Sequence, residues 1–289
     1  MDWLFDWLVD WIRRGLIDGI MARFTGLFDT INTEVNSIAA NVGQTLGEFH
    51  PGVFGMVRTL SETAIIPIAG MILTFVVCYE LIQLILEKNN MHEFDTFNLY
   101  KWMFKTFCAV YILTHTFDIV MAVFALAQSA INASAGTITG NLDIGIDAAL
   151  ADLEAQLETM GEWELLGLWL ETFIISICLW ALTICIFVII YGRMIEIFLV
   201  VSFAPIPLST MVNREWGQIG HNYLKSLFAL AFQGFLIMVC VAIYAALVQN
   251  IPAAPNIHVA LWGLIGYSVL LCFALFKTGS LSKSLFSSS

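Results

Sequence analysis

Charge is scarce in this sequence: Asp, Glu, Lys and Arg make up only 12% of its 289 residues, about half the share of a water-soluble globule. With 59% hydrophobic residues and a mean hydropathy of +0.84, too little polar surface remains to coat a folded particle in water. That excludes a soluble domain, and disorder over most of the length. Cysteine is sparse as well. Cys78, Cys108, Cys178, Cys185, Cys240 and Cys272 all fall in apolar runs without a C-x-x-C pair, which excludes a disulfide-stapled module and reads as small hydrophobes. Basic residues are few, 12 against 23 acids, giving a net charge of -11 and a pI near 4.7. The chain as a whole therefore lacks the basic footprint that grips nucleic acid. Catalytic signatures are missing too. There is no paired-His metal spacing, no Gly-rich phosphate loop and no G-x-S-x-G, and His50, His92, His115, His221 and His258 are scattered. No enzyme activity, metal or cofactor is expected.

What the sequence does hold is long apolar runs. A crossing helix needs about 20 apolar residues, because roughly 30 Å of hydrocarbon divides by about 1.5 Å of rise. Five stretches qualify, at about Thr63 to Leu86, Met103 to Ala127, Leu168 to Tyr191, Leu227 to Val248 and His258 to Phe276. A sixth run, Ile195 to Met211, is shorter and carries Pro205 and Pro207, which interrupt helical hydrogen bonding, so it reads as a re-entrant or broken helix. The expected fold is an all-α integral membrane protein with about five transmembrane helices, this broken segment and an N-terminal amphipathic helix.

Orientation follows from where Lys and Arg flank the spans. Lys88, Lys101 and Lys105 border the first connection; Arg193, Arg214 and Lys225 follow the third span; Lys277 and Lys283 lie in the tail. By contrast, Gln128 to Gly167 has no Lys or Arg but seven acids, and Asn250 to Ile257 is uncharged. Those two loops are expected outside. The organisation is then an outside N-terminal region at 1–62, two spans in 63–127, an acidic outside loop at 128–167, a membrane bundle at 168–276 with its broken segment at 193–226, and a cytoplasmic tail at 277–289. Tyr100 and Trp102 at one span and Trp163, Trp169 and Tyr191 at another suit the headgroup layer.

In the opening segment, Asp2, Asp6 and Asp10 recur four apart, as do Trp3, Trp7 and Trp11. On a helix the acids share a stripe with Arg13, while Phe5, Leu4, Leu8, Ile12 and Leu16 fill the other side, an interfacial geometry and not a signal peptide. Gly15 and Gly19 also permit close helix approach, so contact with another subunit stands beside the membrane-surface reading. Residues 29–62 are polar and read as the approach to the first span. Within the outside loop, Asn132 to Gly140 reads as a linker. After it, Ile146, Leu150, Leu153, Leu157 and Met160 recur at helical spacing, with Asp147, Asp152, Glu154 and Glu158 on the remaining surface. This acidic amphipathic helix either packs on its own bundle or lines a contact between subunits.

Ionisable groups inside apolar spans cost about 2.5–3.5 kcal/mol at mid-bilayer and so mark candidate sites. Glu80, Gln83 and Glu87 share a face of the first span; His115 and Asp118 are i, i+3 neighbours within hydrogen-bonding reach in the second; Arg193 and Glu196 are i, i+3 neighbours at the end of the third. Each is a candidate for a conduit or for polar stitching between helices.

The stretch Tyr191-Gly-Arg193-x-x-Glu196-Ile-Phe-Leu-Val-Val-Ser-Phe-Ala-Pro205-Ile-Pro207, with an acidic amphipathic N-terminus, about five spans and one large outside loop after the second, resembles the TrbL-type polytopic subunits of conjugative type IV secretion channels. An apolar run carrying an Arg before an Ala-Pro-apolar break recurs in that family, and Arg193 and Ala204 to Ile206 occupy those places. The resemblance covers residues 60–276, although the outside loop is short for the family and acidic. It implies a cytoplasmic (inner) membrane subunit forming a homo-oligomeric channel with other secretion-channel subunits and ATPases, and the charge distribution sets its expected orientation, N-terminus outside and C-terminus in the cytoplasm. It also implies transient passage of single-stranded DNA or nucleoprotein. An acidic outer mouth would favour release of such a polyanion. The alternative is a secondary transporter or ion carrier using His115 and Asp118 as a proton relay, with the segment at Pro205 as a gate.

Overall fold

The structure is a computed structural model that describes residues 2–86, 96–138, 147–249 and 256–287. Among these residues every regular element is helical, and five helical stretches are long and apolar enough to cross a membrane: Pro51–Leu86, Thr116–Ala133, Glu162–Val212, Gly217–Val248 and Ile257–Phe286. The protein is a multi-pass helical membrane protein. Its contacts divide it into two units, one of residues 1–43, 132–190 and 236–278, the other of 44–131, 191–235 and 279–289.

The first unit is organised by α1 (Asp2–Gly43), which continues far beyond the tryptophan-rich start. Ile20, Phe24, Leu27, Phe28, Ile31, Val35, Ile38 and Val42 recur every three or four residues, and all are buried. The polar residues between them had read as an approach segment; the helix carries them on its other face. Trp7 and Trp11, by contrast, are exposed. Gly19 lets α1 approach Trp169, since a Cβ there would lie 3.3 Å from the indole nitrogen. The glycine thus serves contact within the chain. Helix α7 (Asp147–Thr159) buries Leu153 and Leu157 and lies against α1. Arg13 donates to the carbonyls of Glu158 (2.5 Å) and Met160 (3.1 Å), placing a cation where α7's unpaired carbonyls gather. The acidic amphipathic helix therefore packs on its own bundle.

The second unit begins with a capping box. Thr45 Oγ1 accepts from the Glu48 amide, and Glu48 Oε2 accepts from the Thr45 amide at 3.0 Å, starting the short α2 (Leu46–Phe49). These bonds hold the Glu48 carboxyl below its usual range. His50 then caps α3 (Pro51–Leu60) by accepting from the Val53 amide at 3.2 Å. Through a π-helical turn, Ser61–Ile65, α3 leads into α4 (Ile66–Leu86), so the first candidate span starts at Pro51 and not Thr63.

The expected span from Met103 to Ala127 is instead two helices, α5 (Thr96–Thr114) and α6 (Thr116–Ile138), meeting at His115. Three consecutive side chains bond back to the preceding turn there. Thr114 and Thr116 donate to carbonyls three and four residues earlier, and His115 Nδ1 lies 3.0 Å from the Tyr111 carbonyl, a competition that weakens helical continuity. Helix α6 also takes in residues 132–138, most of the expected linker.

Helix α8 (Glu162–Phe203) is 42 residues, about 63 Å at about 1.5 Å per residue, roughly twice the hydrocarbon thickness. It absorbs the first half of the sixth apolar run, because nothing between Ile195 and Phe203 interrupts it. Only at Ala204 does it stop, ahead of two prolines. Then come α9 (Pro205–Ser209) and a 3₁₀ turn, Thr210–Val212. The short α9 packs against α4 and α5. Helices α10 (Gly217–Val248) and α11 (Ile257–Ser287) complete the chain. The expected cytoplasmic tail is thus helical to Ser287, with Thr278 and Ser282 buried and Ser282 bonded to the Ala229 carbonyl.

Candidate functional site

In the second unit the polar groups gather at a cleft between the end of α4, the start of α5 and the turn before α10. Glu80 is the hinge of the arrangement. Its Oε1 accepts from Lys105 Nζ at 2.7 Å, and its Oε2 accepts from Asn213 Nδ2 at 2.9 Å. Asn213 is 2% exposed, and its Oδ1 accepts from the Glu215 and Trp216 amides at 2.7 and 3.1 Å. One amide side chain therefore both closes the turn and fastens it to α4. Gln83 donates to Glu215 Oε1 at 3.0 Å, and Trp216 stacks on Tyr79. Beneath lies an apolar cluster of Ala69, Leu73, Val76, Ala109, Leu113 and Val212. The cleft above encloses about 550 Å³ and is lined by Glu80, Gln83, Lys101, Lys105, Arg214 and His221, among others.

Gly220 makes this packing possible. A Cβ there would fall 2.7 Å from the Pro207 carbonyl oxygen, so the first turn of α10 sits directly on the backbone of the proline segment. Pro205 is buried at the head of α9 and Pro207 is half-buried within it. The helix break therefore shapes one wall of the cleft: it turns the chain so that Asn213 reaches Glu80.

The other sequence-derived candidates lie apart from this cleft. His115 stacks on Tyr111 with ring centroids 4.3 Å apart and binds its carbonyl, and no hydrogen bond joins it to the exposed Asp118. The i, i+3 geometry that had suggested a relay is lost because the ring turns back onto the preceding turn. Arg193 is 8% exposed, and its Nε is buried without a hydrogen-bond partner. Glu196, its i, i+3 neighbour, forms an ion pair with Lys283 at 3.0 Å. Glu154 and Glu158 are exposed on α7; Asp147 and Asp152 on α7, and Trp3 on α1, have side chains outside the described residues. Glu87 and Lys88 lie outside them altogether.

Sequence reasoning missed a second polar focus, in the first unit. Glu34 of α1, Thr183 of α8, Tyr244 of α10 and Ser268 of α11 line one small pocket, where Tyr244 and Ser268 hydroxyls are 2.9 Å apart. Burial pushes the Glu34 carboxyl above its usual range, partly offset by the Thr183 hydroxyl. Glu171 and His258 also pair across α8 and α11. No spacing along the chain announces these partners.

A family model described as TrbL/VirB6 plasmid conjugal transfer like protein matches residues 31–205, more than half the chain. The chain belongs to this family. The matched stretch runs from the buried half of α1 to the helix break at Pro205, and so includes Glu80, Lys105, His115 and Arg193 but not Asn213. Neither the curated proteins nor the solved structures hold a match to the chain. A polytopic helical member of this family has a general membrane role in conjugation machinery.

Proposed function

We propose that this chain is a channel-forming or scaffold subunit of a conjugative type IV secretion machine, taking part in passage of DNA or nucleoprotein across the cytoplasmic membrane. The observation that carries the reading is the family match over 31–205 on a chain with five helices able to cross a membrane. In this reading copies of the chain assemble with one another and with the secretion ATPases, and the substrate makes only transient contact. The net charge of -11 fits passage without trapping, since every phosphate contact would slow a polyanion.

In the same reading the N-terminus and the 128–167 loop face outward and the C-terminus faces the cytoplasm. Deletion of the gene should abolish transfer of the mobile element, and a plasmid-borne copy should restore it. In that complementing copy, Ser134→Cys should react with a membrane-impermeant maleimide in intact cells or spheroplasts, and Ser287→Cys only after permeabilisation. Undiminished transfer without the chain would refute the function; labelling of both cysteines from one side would refute the orientation. The carrier reading has no geometric support at its key pair, because His115 and Asp118 do not bond to each other.

A further inference from the structure

Among the described residues, the cleft beside Glu80 is lined by more positive charge than its own acid neutralises. Its walls hold Lys101, Lys105 and Arg214 against the single carboxylate of Glu80. Both oxygens of that carboxylate are already engaged, by Lys105 and by Asn213. Glu215 does not itself line the cleft, and one of its oxygens is engaged by Gln83 of the wall. Lys101 and Arg214 are exposed, and among the described residues neither forms an ion pair. Gly217 and Gln218, the first turn of the 32-residue α10, complete the wall and add the partial positive charge of a helix start.

The position of the cleft selects the anion. Glu80 lies within two turns of the end of α4, and Gly217 is the first residue of α10, so the cleft is bounded by the ends of two candidate spans. The ends of crossing helices are where a chain meets headgroups and water. On α5, Phe97, Tyr100 and Phe104 are exposed, and tyrosine is a residue enriched at a membrane boundary. A basic pocket between spanning helices at this depth suits a phosphodiester whose acyl chains remain in the hydrocarbon. A volume of about 550 Å³ accommodates a glycerophosphate headgroup.

We propose that this cleft binds the phosphate of an anionic phospholipid headgroup, with Lys101 and Arg214 as its charged donors. The site is independent of the secretion role. It would fasten the α4, α5 and α10 ends to the bilayer surface.

The full-length protein is reconstituted in nanodiscs of phosphatidylcholine doped with fluorescent phosphatidylglycerol, and binding is read as energy transfer from tryptophan. The wild type should bind the lipid saturably, and zwitterionic lipid should not compete. The double variant Lys101→Gln, Arg214→Gln should bind at least about tenfold more weakly, the effect of losing a charge-assisted hydrogen bond. The neighbouring variant Lys225→Gln, outside the cleft, should bind normally. Helical circular dichroism monitors the fold of each variant. Absence of saturable binding overturns the proposal, as does equal loss in Lys225→Gln, which would mean diffuse surface attraction. Displacement of the lipid by a single-stranded oligonucleotide would assign the cleft to nucleic acid, and displacement by inorganic phosphate alone would assign it to a soluble anion. Either result overturns the lipid assignment.

Discussion

Replacing Asn213 by Asp changes one atom's chemistry at the point where the turn before α10 is fastened to α4. The side chain keeps its shape, and its Oδ1 can still accept from the Glu215 and Trp216 amides. The other terminal atom, however, becomes an oxygen facing Glu80 Oε2 across a 2.9 Å donor–acceptor distance. Two like charges at about 4 Å repel by about 4 kcal/mol at an effective dielectric near 20. Lys105, 2.7 Å from the other Glu80 oxygen, attracts the new carboxylate and offsets part of this, leaving a net destabilisation of about 2–3 kcal/mol. Adding Glu80→Gln restores an N–H donor opposite the new carboxylate, so the double variant should be more stable than Asn213→Asp alone. A coupling of at least about 1.5 kcal/mol is expected in the double-mutant cycle. Denaturant unfolding of the purified full-length protein in detergent, followed by tryptophan emission, reads it, because Trp102 lines the cleft and the Trp216 amide binds Asn213. Additive single effects, or a cost for Asn213→Asp below about 0.5 kcal/mol, would refute the claim that Asn213 and Glu80 hold these segments together.

Gly220→Ala should destabilise the second unit by about 1–3 kcal/mol in the same assay, since the new methyl meets the backbone oxygen of Pro207, which cannot swing away as the neighbouring Met211 side chain can; an unchanged midpoint would show that α10 does not rest on the proline segment. Glu34, with its carboxyl raised by burial, binds its proton more tightly in the folded than in the unfolded chain. Stability should therefore rise as the pH falls from neutrality towards the ordinary glutamate range, and Glu34→Gln should flatten that dependence in thermal unfolding measured across pH. Arg193→Met replaces a buried cation whose Nε lacks a partner by an apolar chain of similar length, so thermal stability in detergent should be unchanged or higher. If transfer of the mobile element nonetheless falls at normal protein levels, the arginine acts on a partner and not on the fold; a clear loss of stability would show that it is internally satisfied.

The bilayer, the helical class and the number of candidate spans were legible in the sequence, and so was the family, from the Arg193 to Pro207 stretch. The first three rest on the transfer of side chains from water to an apolar medium, which is nearly additive along the chain and needs no knowledge of neighbours, and the family rests on a local residue pattern. The stripe from Ile20 to Val42 was equally local, but the polar residues filling the opposite face of α1 concealed it. At the second span, apolar content alone ran through His115, whereas the break there comes from three adjacent side chains competing for backbone carbonyls.

Partnership among polar groups was decided only in three dimensions. Spacing along one helix offered Glu196 to Arg193 and Asp118 to His115, but the packing gives Glu196 to Lys283 and turns His115 back to Tyr111. Glu80 finds Lys105 and Asn213, 25 and 133 residues away in the chain. A hydrogen bond depends on placement to within a fraction of an ångström, and that placement is set by how whole helices pack. Hydrophobic burial tolerates shifts of that size, so the sequence determined which helices exist, and tertiary packing determined which of their charges meet.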